Sequence, residues 1–211
     1  EYEELPAVFD SFEALRTGAP VLHDNPGAYQ GAPKERPHPN VQSVHREKHG
    51  DPERALAEAA RVFEHTFRTP LAHQGYIEPH AALVAIGDDG RVQVWTAHKM
   101  PFRMKAQLAH ALQLPADRIL INLVPVGGDF GGKGFATDVP LCYYLARATG
   151  RPVKMVMTYT EELQASNPRH PSVITLKTGV DRDGKIVART ARAVFNGGAY
   201  AAFKPIPNVN I

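Results

Sequence analysis

Apolar and polar positions alternate over much of the chain, and this pattern predicts a succession of short β-strands. Apolar, mostly β-branched runs predict strands at residues 62–67, 78–86, 91–96, 119–126, 153–158, 173–180 and 185–195. Residues 87–90 and 181–184 join two pairs of these strands and have the Gly and Asp content of hairpin turns. The sequence therefore predicts antiparallel hairpins within mixed sheets.

Helical spacing of apolar residues interrupts the strand pattern in three places. Asp51, Pro52 and Glu53 are typical of a helix start, and the first predicted helix runs from there to a boundary near Ala60. The other two helices are predicted at residues 101–112, with Phe102, Leu108, Ala109 and Leu112 on the apolar side, and at 136–149, with Leu141, Tyr144, Leu145 and Ala148 on that side. Together with the strands, they predict an α+β fold with one or two β-α-β crossovers.

Residues 18–50 are rich in Pro, Gly, His and Asn and show little periodicity, so they are predicted to form a long connector. Connectors of this length are uncommon inside a compact domain, and this one is expected to wrap a surface or to link two domains. The chain begins at Glu1 without Met and stops at Ile211 just after a strand-like segment. We therefore expect it to be a piece of a longer polypeptide.

Composition narrows the classes of partner. Lys and Arg number 24 against 22 Asp and Glu, and no basic run interleaves with aromatic residues, so neither nucleic acid nor a membrane surface is an expected partner. Cys142 is the single cysteine, which excludes an internal disulfide and gives no zinc or iron–sulfur spacing. We expect it to be a buried core residue rather than a reactive thiol. A reducing compartment, the cytoplasm, is the expected location.

Residues 126–135 form a glycine-rich loop between a predicted strand and a predicted helix. Gly127, Gly128, Gly131 and Gly132 leave the backbone almost bare, so the loop can adopt positive φ and bring its N–H groups close to a ligand. Amides at a helix N-terminus favour an anionic or oxo-bearing ligand. The alternative is structural, namely a tight crossing at which neighbouring segments of chain touch.

Two other interpretations compete for the chemistry of this region. Gly127, Gly132 and Lys133 have the spacing of a phosphate-binding P-loop, but Gly134 stands where that motif needs Ser or Thr to hold magnesium. Nucleotide binding is therefore the weaker hypothesis. Nearby, His73, Glu78 and His80 could be metal ligands or an acid/base pair, although polar residues beside a strand start are more often hydrogen-bonded structure.

Several motifs occur in one order along nearly the whole chain, at residues 1–8, 73–80, 127–133, 150–154 and 196–200. In these motifs the chain resembles the large subunit of the xanthine dehydrogenase and aldehyde oxidase family of molybdenum hydroxylases. The resemblance implies that residues 1–50 are the end of the preceding hammerhead domain plus a connector. It implies that residues 51–211 are the first molybdenum-cofactor-binding domain, truncated at its C-terminal end.

The resemblance also implies roles for residues of the loop and of the segment before the second helix. Gly128, Asp129, Phe130, Gly131, Gly132 and Lys99 are expected to bind a molybdopterin-type cofactor. Phe130 and Lys99 are expected near the oxo ligand of the molybdenum without coordinating the metal through their side chains, and Gly134 is expected to face the substrate.

The chain departs from the family pattern at three of these positions. Lys99, or His98 if the register is shifted, stands where members usually present a glutamine. Gly134 replaces the glutamate of purine-oxidising members, which argues against a purine substrate. Asp129 replaces a glycine, and its carboxylate would repel the oxo ligand unless it points away.

For the parent protein, the resemblance implies an oxidoreductase that hydroxylates an aldehyde, an N-heterocycle or a related small molecule. The family's general base comes from a later domain, so no catalytic residue is expected in this chain, and the chain alone is expected to be inactive. Expected partners are the rest of the large subunit, the small-molecule substrate, and iron–sulfur clusters and FAD in other domains or subunits. The alternative is a non-catalytic scaffold in which Asp129, Lys99 and Gly134 mark a lost metal site.

Overall fold

The computed structural model of the chain describes residues 2–23 and 36–198. Their contacts divide these residues into two compact units, one within residues 2–23, 36–71 and 170–198 and the other formed by residues 72–169. In chain order the elements are α1 (Pro52–Ala57), β1 (Arg61–Thr69), β2 (Ala81–Ile86), β3 (Val92–Thr96), α2 (Pro101–Leu112), β4 (Ile119–Leu123), α3 (Val139–Thr149), β5 (Val153–Val156), α4 (Tyr159–Ala165), β6 (Ser172–Val180) and β7 (Ile186–Phe195). The predicted domain boundary after residue 50 does not coincide with a boundary between the units, and the assignment of residues 1–50 to a separate domain stays a prediction.

The first unit contains a three-stranded antiparallel sheet in the order β1-β6-β7. The predicted hairpin between β6 and β7 is confirmed, since Asp181 N–H donates to the Lys185 carbonyl at 2.9 Å. The predicted start of α1 is confirmed as well, because the Asp51 side chain accepts the Arg54 N–H at 3.2 Å and Pro52 follows it. Every residue of β1 is exposed.

The second unit contains a four-stranded mixed sheet in the order β4-β3-β2-β5. Strands β3 and β4 are parallel and joined by α2, while β2 is antiparallel to both β3 and β5. Strands β4 and β5 therefore run in the same direction, and α3 joins them. Two β-α-β crossovers and the β2–β3 hairpin confirm the predicted α+β fold.

Helices α2 and α3 and the four-stranded sheet enclose the core of the second unit. Its fully or almost fully buried members are Ala82, Val84, Val92, Val94, Met104, Leu108, Leu112, Ile119, Val139, Cys142, Tyr143 and Ala146. The predicted bounds of α2 and the predicted burial of Cys142 are confirmed. Because this cluster packs the helices against the sheet, it fixes the loop that connects β4 to α3 at both ends.

The predicted face of α3 is wrong, and that of α2 is confirmed for Leu108, Ala109 and Leu112 but not for Phe102. Phe102 is 89% exposed, because Met104 rather than Phe102 joins Leu108 and Leu112 on the buried side of α2. In α3 the buried side is formed by Val139, Cys142, Tyr143 and Ala146, which are also spaced three or four residues apart. All four members of the predicted face are exposed instead, namely Leu141, Tyr144, Leu145 and Ala148.

Element ends also differ from the prediction. Strand β4 ends at Leu123 instead of Val126, and α3 begins at Val139 instead of Ala136. Helix α4 was not predicted. Its start carries a capping box in which Thr158 and Glu161 exchange side-chain and backbone hydrogen bonds. Within the described part of the chain, no helix is long and apolar enough to cross a membrane.

Candidate functional site

The glycine-rich loop lies in the second unit between β4 and α3. Residues 133–138 separate Gly132 from Val139, the first residue of α3, and Asp138 makes no side-chain cap bond at that helix start. The expectation that the glycines sit at the helix N-terminus is therefore wrong. Any ligand here would meet the amides of the loop itself rather than the end of a helix.

Three of the four glycines are explained by close packing on residues 76–78. A Cβ atom at Gly127 would lie 2.7 Å from Glu78 Cβ, and one at Gly128 would lie 3.0 Å from Tyr76 Cβ. At Gly132 the added atom would overlap the Tyr76 ring. The structural alternative, a tight crossing between segments of chain, is thus confirmed for these positions.

Gly131 has a different environment. A Cβ atom added there would meet nothing within 4 Å among the described residues, yet its φ of +102° strongly favours glycine. The preceding residue, Phe130, also has a positive φ, +46°, and its side chain is 65% exposed. Arg169 holds this conformation by donating to the Phe130 carbonyl at 2.9 Å. A non-glycine residue in this region costs about 1–3 kcal/mol, and such strain clusters at functional sites.

Asp129 turns its carboxylate into the loop. One oxygen, Oδ2, accepts the Gly131 N–H at 2.9 Å and the Lys99 ammonium at 2.7 Å, and Oδ1 accepts the Lys133 N–H at 2.6 Å. Burial opposes ionisation, but the hydrogen bond from Lys99 and those from the two amides outweigh it and lower the pKa of Asp129. The carboxylate is therefore ionised and fully engaged. Among the described residues, the Phe130 N–H donates no hydrogen bond.

Lys133 lies under the loop and is completely buried. Its ammonium binds the Glu78 carboxylate and lies 4.8 Å from the centre of the Tyr76 ring. Glu78 also accepts the Gly127 N–H at 2.8 Å, so it ties both ends of the glycine cluster to one side chain. The structure contradicts the P-loop interpretation, because this lysine is neutralised within the protein and does not reach the surface.

A second buried cluster, formed by Glu162 and His80, binds the hydroxyl end of Tyr76. Glu162 of α4 is fully buried and accepts hydrogen bonds from the Tyr76 hydroxyl, the His80 N–H and the His80 imidazole Nδ1 at 2.8 Å. Burial raises the pKa of Glu162, but these donors together lower it to about 2. Burial and the same hydrogen bond raise the pKa of the Tyr76 hydroxyl.

The cluster settles the competing interpretations of His73, Glu78 and His80. All three take part in hydrogen bonds or ion pairs within the unit, which confirms that they are structural. Among the residues that the structure describes, no group of three or more His, Cys, Asp or Glu could hold a metal ion. Glu162 was not identified from the sequence. The capping box of Thr158 and Glu161 could have indicated a helix start there, with Glu162 in its first turn.

Lys99, His98 and Gly134 meet at the edge of the loop. The Lys99 N–H donates to the Lys133 carbonyl at 3.4 Å, in addition to the ion pair of its side chain with Asp129. His98 is buried and accepts the Met100 N–H at 2.9 Å; burial lowers its pKa, against the opposing effect of the adjacent Gly134 backbone. The structure thus brings the six predicted cofactor-binding residues and Gly134 into one region, while their contacts with a cofactor or substrate stay predictions.

Comparison with known proteins gives the family. The family model for the molybdopterin cofactor-binding domain matches residues 33–210. The chain is 32% identical over 207 residues to a probable xanthine dehydrogenase subunit of Bacillus subtilis (strain 168), covering 97% of this chain and 26% of that protein. It is 30% identical over 205 residues to the nicotinate dehydrogenase large molybdopterin subunit of Eubacterium barkeri, covering 97% and 45% respectively.

A solved structure agrees with this result. The aldehyde oxidoreductase of Desulfovibrio gigas superposes with a TM-score of 0.75 at 26% identity, covering 92% of this chain and 20% of that chain. The chain thus spans less than half the length of each of these relatives. It belongs to the molybdopterin cofactor-binding domain family found in the large subunits of xanthine dehydrogenase- and aldehyde oxidoreductase-type molybdenum hydroxylases.

Proposed function

We propose that this chain supplies one side of the molybdenum-cofactor site in an oxidoreductase that hydroxylates an aldehyde, an N-heterocycle or a related small molecule. The observation that carries the proposal is the Phe130–Gly131 step. Both residues have positive φ, and among the described residues the Phe130 N–H donates no hydrogen bond and nothing lies within 4 Å of a Cβ added at Gly131. When bound, the cofactor supplies the two-electron redox chemistry of the hydroxylation.

The residues present fit such a group. Backbone N–H groups are good donors to the electronegative oxygen atoms of a metal cofactor, and a fixed donor in a site without water stabilises developing charge by a few kcal/mol. The bare α-carbon of Gly131 allows the cofactor to approach the backbone closely. Gly128 and Gly132 let the loop pack closely on Tyr76. The charge of Asp129 is compensated by Lys99 and by hydrogen bonds from two loop amides.

The same geometry supports a binding role rather than a catalytic one for this chain. A general base needs a carboxylate or imidazole that is free to take a proton from the reacting group. Asp129, Glu78 and Glu162 each accept several hydrogen bonds or pair with a cation inside the unit. We therefore assign the base to another part of the parent protein.

We infer the class of substrate and the partners from the family assignment. Gly134 lies beside His98 and brings no side chain to the proposed substrate side, which agrees with a substrate other than a purine. We propose that iron–sulfur clusters and FAD in other domains or subunits take the electrons. The single cysteine, buried in the core, fits a reducing compartment such as the cytoplasm.

A second candidate, a non-catalytic scaffold subunit, is favoured by one observation. The Asp129 carboxylate already occupies the Gly131 and Lys133 amides, which are two of the donors that a cofactor could have used. The two candidates differ in a measurable quantity, because only the first requires molybdenum in the folded parent.

The test is metal and pterin analysis of the full-length parent, purified with its partner subunits from a host that makes molybdopterin. Near-stoichiometric molybdenum is expected in the wild type. Gly131→Val places a branched side chain in the open space beside the loop and is expected to abolish molybdenum binding. Gly184→Val is the matched control, since Gly184 has a φ of +81° and open surroundings but lies in the β6–β7 hairpin of the other unit.

Gly184→Val is expected to retain molybdenum. A folded wild-type parent without molybdenum would contradict the proposal and leave the scaffold role in its place. Full occupancy in Gly131→Val would show that the cofactor does not approach this side of the loop.

A further inference from the structure

Two of the three departures from the family pattern are in direct contact. The Lys99 ammonium lies 2.7 Å from Asp129 Oδ2, with side-chain exposures of 37% and 18%. In the register that places Lys99 at the family's glutamine, the family pattern at these positions is a glutamine and a glycine, a neutral combination. The ion pair is also neutral overall, so the two changes compensate each other in charge.

The pair also determines the shape of the loop. Asp129 accepts hydrogen bonds from Gly131 and Lys133 through its side chain and from Gly132 through its backbone carbonyl at 2.8 Å. Residues 129–133 are thus closed on themselves around Phe130 and Gly131. Lys99, three residues after the end of β3, contacts this closed segment twice: its ammonium binds Asp129, and its N–H donates to the Lys133 carbonyl.

Lys99 without Asp129, or Asp129 without Lys99, would leave an uncompensated charge beside the proposed cofactor site. An unpaired Asp129 carboxylate next to an anionic cofactor would repel it, because like charges interact strongly where water is partly excluded. An unpaired Lys99 ammonium would put a mobile cation in the place of a neutral amide. Together they present hydrogen-bonded, neutral surroundings.

We propose that Lys99 and Asp129 form a positioning pair that works as one unit: it fixes the loop so that the Phe130 N–H faces outward, and it keeps the cofactor's surroundings neutral. This inference rests on the proposed function. Neither residue needs to touch the reacting atoms, because both act through the loop backbone.

The test is a double-mutant cycle in the full-length parent with its partner subunits. The variants are Lys99→Gln, Asp129→Gly and the double variant, which restores the neutral family pattern. Each single change is expected to lower molybdenum content at least about twofold, and the double variant is expected to recover most of it, since residues that act as a unit are non-additive. The electron paramagnetic resonance signal of molybdenum(V) provides a second measurement. Each single variant is expected to shift this signal from its wild-type position, and the double variant is expected to show a smaller shift.

The control cycle uses Lys154→Gln and Asp88→Gly, which change exposed residues of the same unit and are expected to leave both measurements unchanged. Losses that simply add in the double variant would overturn the proposal. If Asp129→Gly does not fold, Asp129→Asn replaces it, because asparagine removes the charge and keeps one acceptor oxygen for the loop amides, although its NH2 group cannot accept the second hydrogen bond.

The failure of this inference is distinguishable from the failure of the proposed function. The same cycle is measured by thermal unfolding of the parent made without cofactor, where coupling between residues 99 and 129 is expected whether or not molybdenum binds. A wild type without molybdenum would contradict the proposed function alone. Additive melting temperatures would overturn the pairing itself.

Discussion

Gly127 shows how a single residue of the loop is fixed by its neighbour. Its N–H donates to the Glu78 carboxylate at 2.8 Å, and a Cβ atom there would lie 2.7 Å from Glu78 Cβ and 2.9 Å from Glu78 Cδ. Since Glu78 is held by buried Lys133, it has little freedom to move aside. We expect Gly127→Ala to destabilise the chain by about 1–3 kcal/mol, the usual cost of overpacking, as measured by urea denaturation.

Gly87 provides the matched control for Gly127. Neither residue has a positive φ, so a substitution at either tests space rather than backbone strain. The atom nearest to a Cβ at Gly87 is the Asp89 carboxylate oxygen at 2.9 Å, which lies at the end of a movable side chain. Gly87→Ala is therefore expected to have little effect. Equal losses at the two positions would contradict the packing argument for Gly127.

At the scale of elements, helix α4 matters because it places Glu162 against Tyr76 and His80, next to the glycine-rich loop. The folded-state pKa of Glu162, about 2, lies below the ordinary value of 4.5, so ionised Glu162 stabilises the fold. This stabilisation is complete above the ordinary value and is lost as pH falls towards 2. A shift of this size corresponds to about 3 kcal/mol. We expect the melting temperature to fall between about pH 5 and pH 2, with a clearly weaker fall in Glu162→Gln.

The glutamine variant is also expected to be less stable than wild type at pH 7, since the amide replaces one acceptor oxygen by a donor among three donors. Asp88→Asn, a change in an exposed turn of the same unit, serves as the control and is expected to keep the wild-type acid dependence. Parallel acid curves for wild type and Glu162→Gln would show that Glu162 is not the group that titrates.

The elements that could be predicted are those with an unambiguous period or a strong start signal. The bounds of α2 follow from Pro101 at its first turn and from its apolar spacing, and the two hairpins follow from their Gly and Asp turns. In α3, apolar residues lie on both sides of the helix, so periodicity alone could not choose the buried face. Helix α4 is short and mostly polar, and its capping box is the feature of the sequence that indicates it.

The sequence predicted where the glycine-rich loop lies but not its internal contacts, and the role of the loop residues towards a cofactor stays a prediction. The density of glycines predicted the loop, since four of the six residues 127–132 are glycine and such density is typical of a loop. The inward turn of Asp129 depends on backbone angles that composition does not reveal. The bond between Tyr76 and Glu162 joins residues 86 positions apart, and such a pairing exists only once the fold is known.

At the scale of the whole molecule, the chain contains two compact units, and the second, residues 72–169, is one continuous segment. The buried cluster that packs α2 and α3 on the four-stranded sheet lies entirely inside it, between Ala82 and Ala146. The loop contacts with Lys99, Tyr76 and Glu78 lie inside it too. Its ends pair as antiparallel neighbours, since the Arg169 N–H donates to the Ala72 carbonyl at 2.8 Å.

We therefore expect residues 72–169, produced alone, to fold cooperatively, with a free energy of unfolding of about 5–10 kcal/mol for a segment of this size. Trp95, the single tryptophan of the chain, lies in β3 and reports the unfolding of this unit by fluorescence in both the segment and the whole chain. The two urea midpoints are expected to agree closely. Val84→Asp places a carboxylate at a fully buried core position and serves as the unfolded reference. A segment whose Trp95 fluorescence matches that of Val84→Asp without denaturant would show that the loop and its buried supports depend on the rest of the chain.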